Sequence, residues 1–105
     1  MKILANNMSE LFIVRLTPNQ EKMRSNVEEK QMLGKGHSEY VEKLVDDKVI
    51  LFGGPIEGKP GGLLVVTAKS IREVENLFNE DPMIKNEYLF TEVNKWTIKH
   101  GKLEY

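Results

Sequence analysis

Two histidines are the residues of this chain best suited to acid–base chemistry near neutral pH, where an imidazole gains and loses its proton. His37 lies within a helical stretch, whereas His100 follows the last predicted strand and is expected at the surface. The chain has no cysteine, which excludes thiolate catalysis, disulfides and metal sites with cysteine ligands. The histidines show no His-x-His or His-x-x-x-His spacing, so no metal site is expected.

The helical periodicity around His37 places its imidazole on the buried side of a helix. Tyr40, Val41 and Leu44 mark an inward-facing stripe, and counting back three and four positions from Tyr40 and Val41 reaches His37. A polar residue on an apolar stripe is a candidate general base. The alternative is a structural histidine that makes only local hydrogen bonds at a helix start.

The elements before and around His37 are a strand and a long helix. Residues 11–16 form a short apolar run rich in β-formers, which predicts a buried strand. Thr17 is the expected cap of the helix that follows. Gly34 and Gly36 are expected to break or kink this helix, since each costs about 1 kcal/mol relative to alanine.

Three strands and one more helix follow in the second half of the chain. The apolar runs 49–52 and 63–67, joined by a connection rich in glycine and proline, predict a hairpin. Ser70 is the expected cap of a second helix, which ends before Pro82. Residues 88–98 predict the last strand, and their irregular alternation predicts a bulge or bend.

The resulting order, strand–helix–strand–strand–helix–strand, is that of an α+β, ferredoxin-like βαββαβ sandwich. Right-handed crossovers place both helices on one face of the sheet, and the other face has no cover from this chain. The first three strand runs are apolar on both faces, whereas a one-sided sheet alternates apolar and polar residues. We therefore expect a homodimer in which two open sheet faces pack together.

The length and charge of the chain restrict its class and partners. A chain of 105 residues suits one domain, expected at 9–100 between a flexible N-terminal extension, 1–8, and a C-terminal tail, 101–105. The net charge of −1 gives no electrostatic reason to expect nucleic acid or an anionic membrane as a partner. No apolar run approaches the roughly 20 residues that span a bilayer, and a cytoplasmic location is expected.

Several short motifs along the chain together resemble one known family. The resemblance is to the YCII-related (YciI-like) proteins, and it extends from about Leu11 to Ile98. The order and spacing of the motifs carry it, since each is common on its own. They are His37-x-x-Tyr40 in a helix, Phe52-Gly53-Gly54-Pro55 at the end of the second strand, Asp81-Pro82 after the second helix, and Trp96 in the last strand.

The resemblance implies a dimeric α+β barrel with a pocket that holds a histidine and an aspartate in each subunit. By motif these correspond to His37 and Asp81, which become the candidate catalytic residues. Family members with known chemistry are small enzymes that act on hydroxylated or chlorinated aromatic ring products, among them a dehydrochlorinase. The resemblance therefore implies a small-molecule ligand and no cofactor.

The remaining candidate site residues, all substrate-binding candidates, are Tyr40, Gly53, Gly54 and Pro55. Each has a structural alternative: Tyr40 as a core residue, and the glycines and proline as the end of a strand and a tight turn. Asp81 likewise can serve only the turn before Pro82.

Two functions follow from these residues. The first is a small cofactor-independent enzyme in which His37 moves a proton on a cyclic or aromatic substrate and Asp81 orients it, as in an isomerase or a lyase. The second is a non-catalytic ligand-binding or regulatory module that uses the same pocket. RNA binding is disfavoured, because residues 62–66 lack the basic and aromatic residues of an RNA-binding strand.

Overall fold

The structure is a computed structural model that describes residues 10–101. The predicted N-terminal extension, 1–8, and residues 102–105 of the predicted C-terminal tail lie outside the described residues. The elements are β1 (Glu10–Pro18), α1 (Gln20–Ser25), α2 (Val27–Asp46), β2 (Ile50–Pro55), β3 (Gly62–Ala68), α3 (Ile71–Phe78), α4 (Pro82–Lys85) and β4 (Leu89–Lys95).

The four strands form one antiparallel sheet in the order β2-β3-β1-β4. Val14 of β1 illustrates the register, since it lies opposite Leu64 of β3 and Val93 of β4. Two strands at the centre and two at the edges, with helices in the two crossovers, make the βαββαβ arrangement. The predicted α+β, ferredoxin-like βαββαβ fold is confirmed.

The hydrophobic core lies between the helices and one face of the sheet. In β1 the side chains of Phe12, Val14 and Leu16 are buried, and the residues between them are only half-buried. Core residues come from β1, β2, β3, α2 and α3, so α2 and α3 pack on the same sheet face. The buried cluster comprises Phe12, Val14, Leu16, Leu44, Ile50, Leu64, Val66, Ala68, Val74 and Phe78.

The first helix begins later than the sequence predicts. Strand β1 continues through Thr17 to Pro18, which lies opposite Leu89 of β4. Asn19 is the true cap, and its side-chain oxygen accepts a hydrogen bond from the backbone N–H of Lys22 at 3.3 Å. The prediction that Thr17 caps the helix was wrong, because strand pairing extends past the local capping signal.

The predicted break at Gly34 and Gly36 was also wrong, since α2 runs through both positions. The helical region is interrupted earlier, at Asn26, whose extended backbone separates α1 from α2 and whose side chain accepts from the N–H of Glu29. Packing on the sheet outweighs the modest cost of two glycines.

Within the described part of the chain, no helix is long and apolar enough to cross a membrane.

The second and last strands differ from the predictions at their ends. Strand β2 includes Gly53, Gly54 and Pro55 and does not end before them. The predicted irregularity of the last strand is absent from the pairing of β1 with β4; the bulge lies in β2, between Ile50 and Phe52. Strand β4 ends at Lys95, just before Trp96.

Candidate active site

His37 lies in the middle of α2, with its side chain 24% exposed. Its ring nitrogen Nδ1 lies 2.5 Å from Oδ2 of Asp81, a residue 44 positions away along the chain. This hydrogen-bonded pair joins the long helix to the segment that follows α3. The two candidate catalytic residues are therefore in direct contact.

Asp81 is held rigidly by the segment on which it lies. It is the N-cap of α4, and its Oδ1 accepts a hydrogen bond from the backbone N–H of Met83 at 2.8 Å. The proline at position 82 favours the extended backbone that Asp81 adopts. Asp81 is 0% exposed, and burying a carboxylate is costly unless it is hydrogen-bonded. Both carboxylate oxygens have a partner: Oδ1 binds the N–H of Met83 in the turn, and Oδ2 contacts His37.

The contact with Asp81 selects the tautomer of His37. An ionised carboxylate only accepts hydrogen bonds, so Nδ1 donates to it, and in the neutral imidazole Nε2 then presents a lone pair. Among the described residues, the imidazole has no hydrogen-bond partner besides Asp81. Nε2 is therefore the atom available to a ligand, in the tautomer that a general base requires.

The imidazole forms part of the wall of a cavity of about 250 Å³ between α2 and the sheet. Among the described residues that line it, His37 is the only one with an ionisable side chain, and the others are apolar or glycine. An apolar cavity of about 150 Å³ holds a benzene molecule, so this one has room for a substituted ring. The lining residues are Leu16, His37, Val41, Gly54, Pro55, Gly61, Gly62, Leu64 and Leu89.

Of the predicted substrate-binding residues, the structure brings Gly54 and Pro55 to this cavity. Gly53 is absent from the wall, and a β-carbon there would lie 2.4 Å from Cδ2 of Leu64. Glycine at position 53 is thus explained by the close approach of β2 and β3. The structure accordingly places two of these three predicted residues in the wall of the cavity.

Tyr40 lies outside the wall of the cavity, contrary to the expectation that its ring lines the same pocket as His37. Its hydroxyl donates a hydrogen bond to the backbone carbonyl of Leu77 at 2.6 Å and so ties α2 to α3. Burial raises the pKa of Tyr40, and the charges of Glu80 and Asp81 raise it further. Its role in the structure is to fix the helix that carries His37.

Several residues of the wall were not predicted as site residues from the sequence. Val41 lies four positions after His37, and this helical spacing was the available signal. Gly61 was assigned only to the hairpin connection. Its φ is +87°, and a β-carbon there would lie 1.9 Å from the backbone oxygen of Leu16. Only glycine brings the connection this close to β1.

Tyr88 is a buried residue whose hydrogen bonds were not predicted from the sequence. Its hydroxyl donates to Oε1 of Glu29 in α2 at 2.5 Å, and its backbone N–H donates to the carbonyl of Met83. The hydrogen bond to Glu29, followed by burial and the charge of Glu29, raises the pKa of Tyr88. These contacts secure α4, the helix that Asp81 caps, against α2.

Between residues 10 and 101, no group of three or more His, Cys, Asp or Glu side chains could hold a metal ion. The described fold and site define a small ferredoxin-like α+β domain in which a half-buried histidine, paired with a fully buried aspartate, lies beside an apolar cavity.

The sequence places this domain in a family. The model of the YCII-related domain matches residues 10–97, and the chain belongs to the YCII-related family. A curated relative is the uncharacterised protein YjpA of Bacillus subtilis (strain 168). It is 27% identical over 64 residues, which cover 61% of this chain and 75% of that protein.

A similar solved structure is the 5-chloro-2-hydroxyhydroquinone dehydrochlorinase TftG of Burkholderia phenoliruptrix AC1100, in complex with 2,5-dihydroxybenzoquinone. It is 26% identical to this chain, with a TM-score of 0.64. The match covers 87% of this chain and 95% of TftG.

Proposed function

We propose that this protein is a small cofactor-independent enzyme in which His37 transfers a proton on a cyclic or aromatic substrate. One observation carries the proposal: the imidazole is hydrogen-bonded through Nδ1 to a fully buried carboxylate and lies in the wall of a ring-sized cavity. Asp81 orients the ring and stabilises the imidazolium that forms when Nε2 accepts a proton.

The apolar wall suits the faces of a planar ring. A carbon acid next to a ring carbonyl suits a base of this kind. Nε2 of His37 takes the proton, and the C–H electron pair passes into the enolate. Return of the proton to another carbon completes an isomerisation, and loss of chloride from the adjacent carbon completes an elimination. The dehydrochlorinase activity of the similar protein TftG supports the second outcome.

The cavity is poorly suited to acyl transfer. The wall residues within the described range, 10–101, include no serine, threonine, cysteine or lysine that His37 could activate as a nucleophile. Proton transfer needs only the base and its orienting carboxylate, both of which are present.

A substrate screen with matched variants tests this function. Purified protein is assayed on lactones, enols and hydroxyquinones, including 2,5-dihydroxybenzoquinone and chlorinated analogues. His37→Gln and Asp81→Asn should each lower turnover by about 10²–10⁴-fold. Asp81→Asn retains an oxygen that can accept from the N–H of Met83. The exposed His100→Gln is the control and should leave turnover unchanged. Equal turnover by wild type and His37→Gln would refute the mechanism.

The same screen distinguishes the binding-module alternative. A module that only binds would show a rise in melting temperature with ligand and no product, following mass action. That result would exclude the enzymatic proposal for the ligands tested.

We also propose a homodimer through the open sheet face. Large apolar side chains on that face are exposed, among them Phe52 at 44% and Leu63 at 37%, with Ile13 half-buried between the strands. Dimerisation would cover them, since an apolar patch of this kind is typical of an association site.

A charge placed on this face should break the dimer. Phe52→Lys is the test variant, and Ile71→Lys on α3 is the control, because Ile71 is equally exposed at 45% but lies on the helical layer. Sedimentation equilibrium at micromolar concentration should give a dimer for wild type and Ile71→Lys, and a weaker dimer or monomer for Phe52→Lys. A stable wild-type monomer would overturn this assembly.

A further inference from the structure

We propose that Gly36 is a positioning residue for the His37–Asp81 pair, because the absence of its side chain lets α2 lie directly against Pro82. A β-carbon at Gly36 would lie 3.1 Å from Cγ and 3.6 Å from Cβ of Pro82. The shorter distance is tighter than ordinary contact, so the proline would have to move by a few tenths of an ångström. Any larger residue here pushes the two segments apart.

The consequence for the site follows from chain adjacency. Gly36 directly precedes His37, and Pro82 directly follows Asp81, so the glycine–proline contact lies next to the 2.5 Å hydrogen bond between Nδ1 and Oδ2. Asp81 cannot easily compensate, since its Oδ1 is committed to the N–H of Met83. A displacement of Pro82 therefore changes the distance between the carboxylate and the imidazole.

Gly34 provides a matched comparison within the same helix. A β-carbon at Gly34 would meet nothing within 4 Å. Replacing either glycine with alanine improves helix propensity equally. Only the replacement at Gly36 disturbs the contact with Pro82, so the two variants separate helix stability from site geometry.

The catalytic consequence rests on the proposed function, whereas the geometric consequence does not. A misplacement of about 1 Å can cost roughly 10²-fold in rate, so a shift of a few tenths of an ångström predicts a loss of about three- to five-fold in turnover. The primary readout is therefore the imidazole itself, observed by ¹H and ¹⁵N NMR, which reports on the pair even if no substrate is found.

The experiment compares wild type with Gly34→Ala, Gly36→Ala, Pro82→Ala and the double variant Gly36→Ala/Pro82→Ala. The measured quantities are the chemical shift and solvent exchange of the His37 Nδ1 proton. Gly36→Ala should shift this signal upfield and speed its exchange, whereas Gly34→Ala should match wild type. The double variant should move back toward Pro82→Ala alone, because alanine at position 82 retains Cβ and removes the Cγ that clashes.

Two results would overturn the inference. One is an Nδ1 signal in Gly36→Ala that equals that of Gly34→Ala. The other concerns the case in which Gly36→Ala does not fold. If the double variant also fails to fold while Pro82→Ala folds, the contact with Cγ of Pro82 is not the cause of the misfolding. A folded double variant with the signal of Pro82→Ala supports the role of Gly36. Absence of turnover in wild type refutes the proposed function and leaves these NMR outcomes unaffected.

Discussion

Removing the imidazole should destabilise the protein, because the buried carboxylate depends on it. Asp81 is 0% exposed, and among the described residues its Oδ2 is paired only with His37. His37→Ala leaves that oxygen without a protein partner. An unsatisfied buried polar group costs about 1–3 kcal/mol, and removing one partner of a buried ion pair about 3–5 kcal/mol. Because the imidazole is 24% exposed, water can enter the space it leaves, and we expect a loss of about 2 kcal/mol.

A double-mutant cycle measures this dependence. The free energy of unfolding is obtained from urea titrations of wild type, His37→Ala, Asp81→Asn and the double variant at one protein concentration. Asp81→Asn removes the buried negative charge that the imidazole stabilises. The double variant should therefore lower the free energy of unfolding by about 1–2 kcal/mol less than the sum of the two single variants. The exposed His100→Ala should change stability by less than about 0.5 kcal/mol. Additivity within about 0.5 kcal/mol would refute the coupling of the pair.

Three further variants test other parts of the account. Burial and nearby carboxylates raise the pKa of Tyr40 above its usual 10.0, so the stability it contributes is complete below pH 10 and is lost as the pH rises through the raised value. Tyr40→Phe should make alkaline urea titrations less pH-dependent, and unchanged dependence would contradict this. Gly61→Ala, at φ +87° and 1.9 Å from the Leu16 oxygen, should lower stability by at least about 2 kcal/mol, as measured by urea unfolding. Val41→Phe should fill the cavity and weaken ligand binding in calorimetry while the His37 signals persist; unchanged affinity would place the ligand elsewhere.

The sequence predicted the order of the elements because their apolar runs and turn residues agree with the fold. Ser70 does cap its helix, through the N–H of Glu73, and residues 49–52 and 63–67 do form a hairpin. Local signals failed where tertiary contacts decide. Thr17 does not cap the helix, because β1 continues past it and Pro18 pairs with Leu89 of β4. No local sequence pattern indicates this pairing.

The site was predictable only in part. Helical spacing placed His37 on the inner side of its helix, but contact with a residue 44 positions away depends on how α2 and α4 pack. The two glycines before His37 were taken as helix breakers because propensity alone was considered. In the folded chain, Gly36 is where α2 approaches Pro82, a tertiary contact that propensity does not describe.

Hydrogen–deuterium exchange on a carbon acid tests the central claim most directly. A cyclic ketone or lactone is incubated in D₂O with the protein, and deuterium at the carbon next to the carbonyl is followed by NMR or mass spectrometry. Wild type should incorporate deuterium. His37→Gln and Asp81→Asn should do so at least about 100-fold more slowly, because the first variant lacks the base and the second lacks the carboxylate that orients it. Incorporation at the wild-type rate by His37→Gln would contradict proton transfer by this histidine.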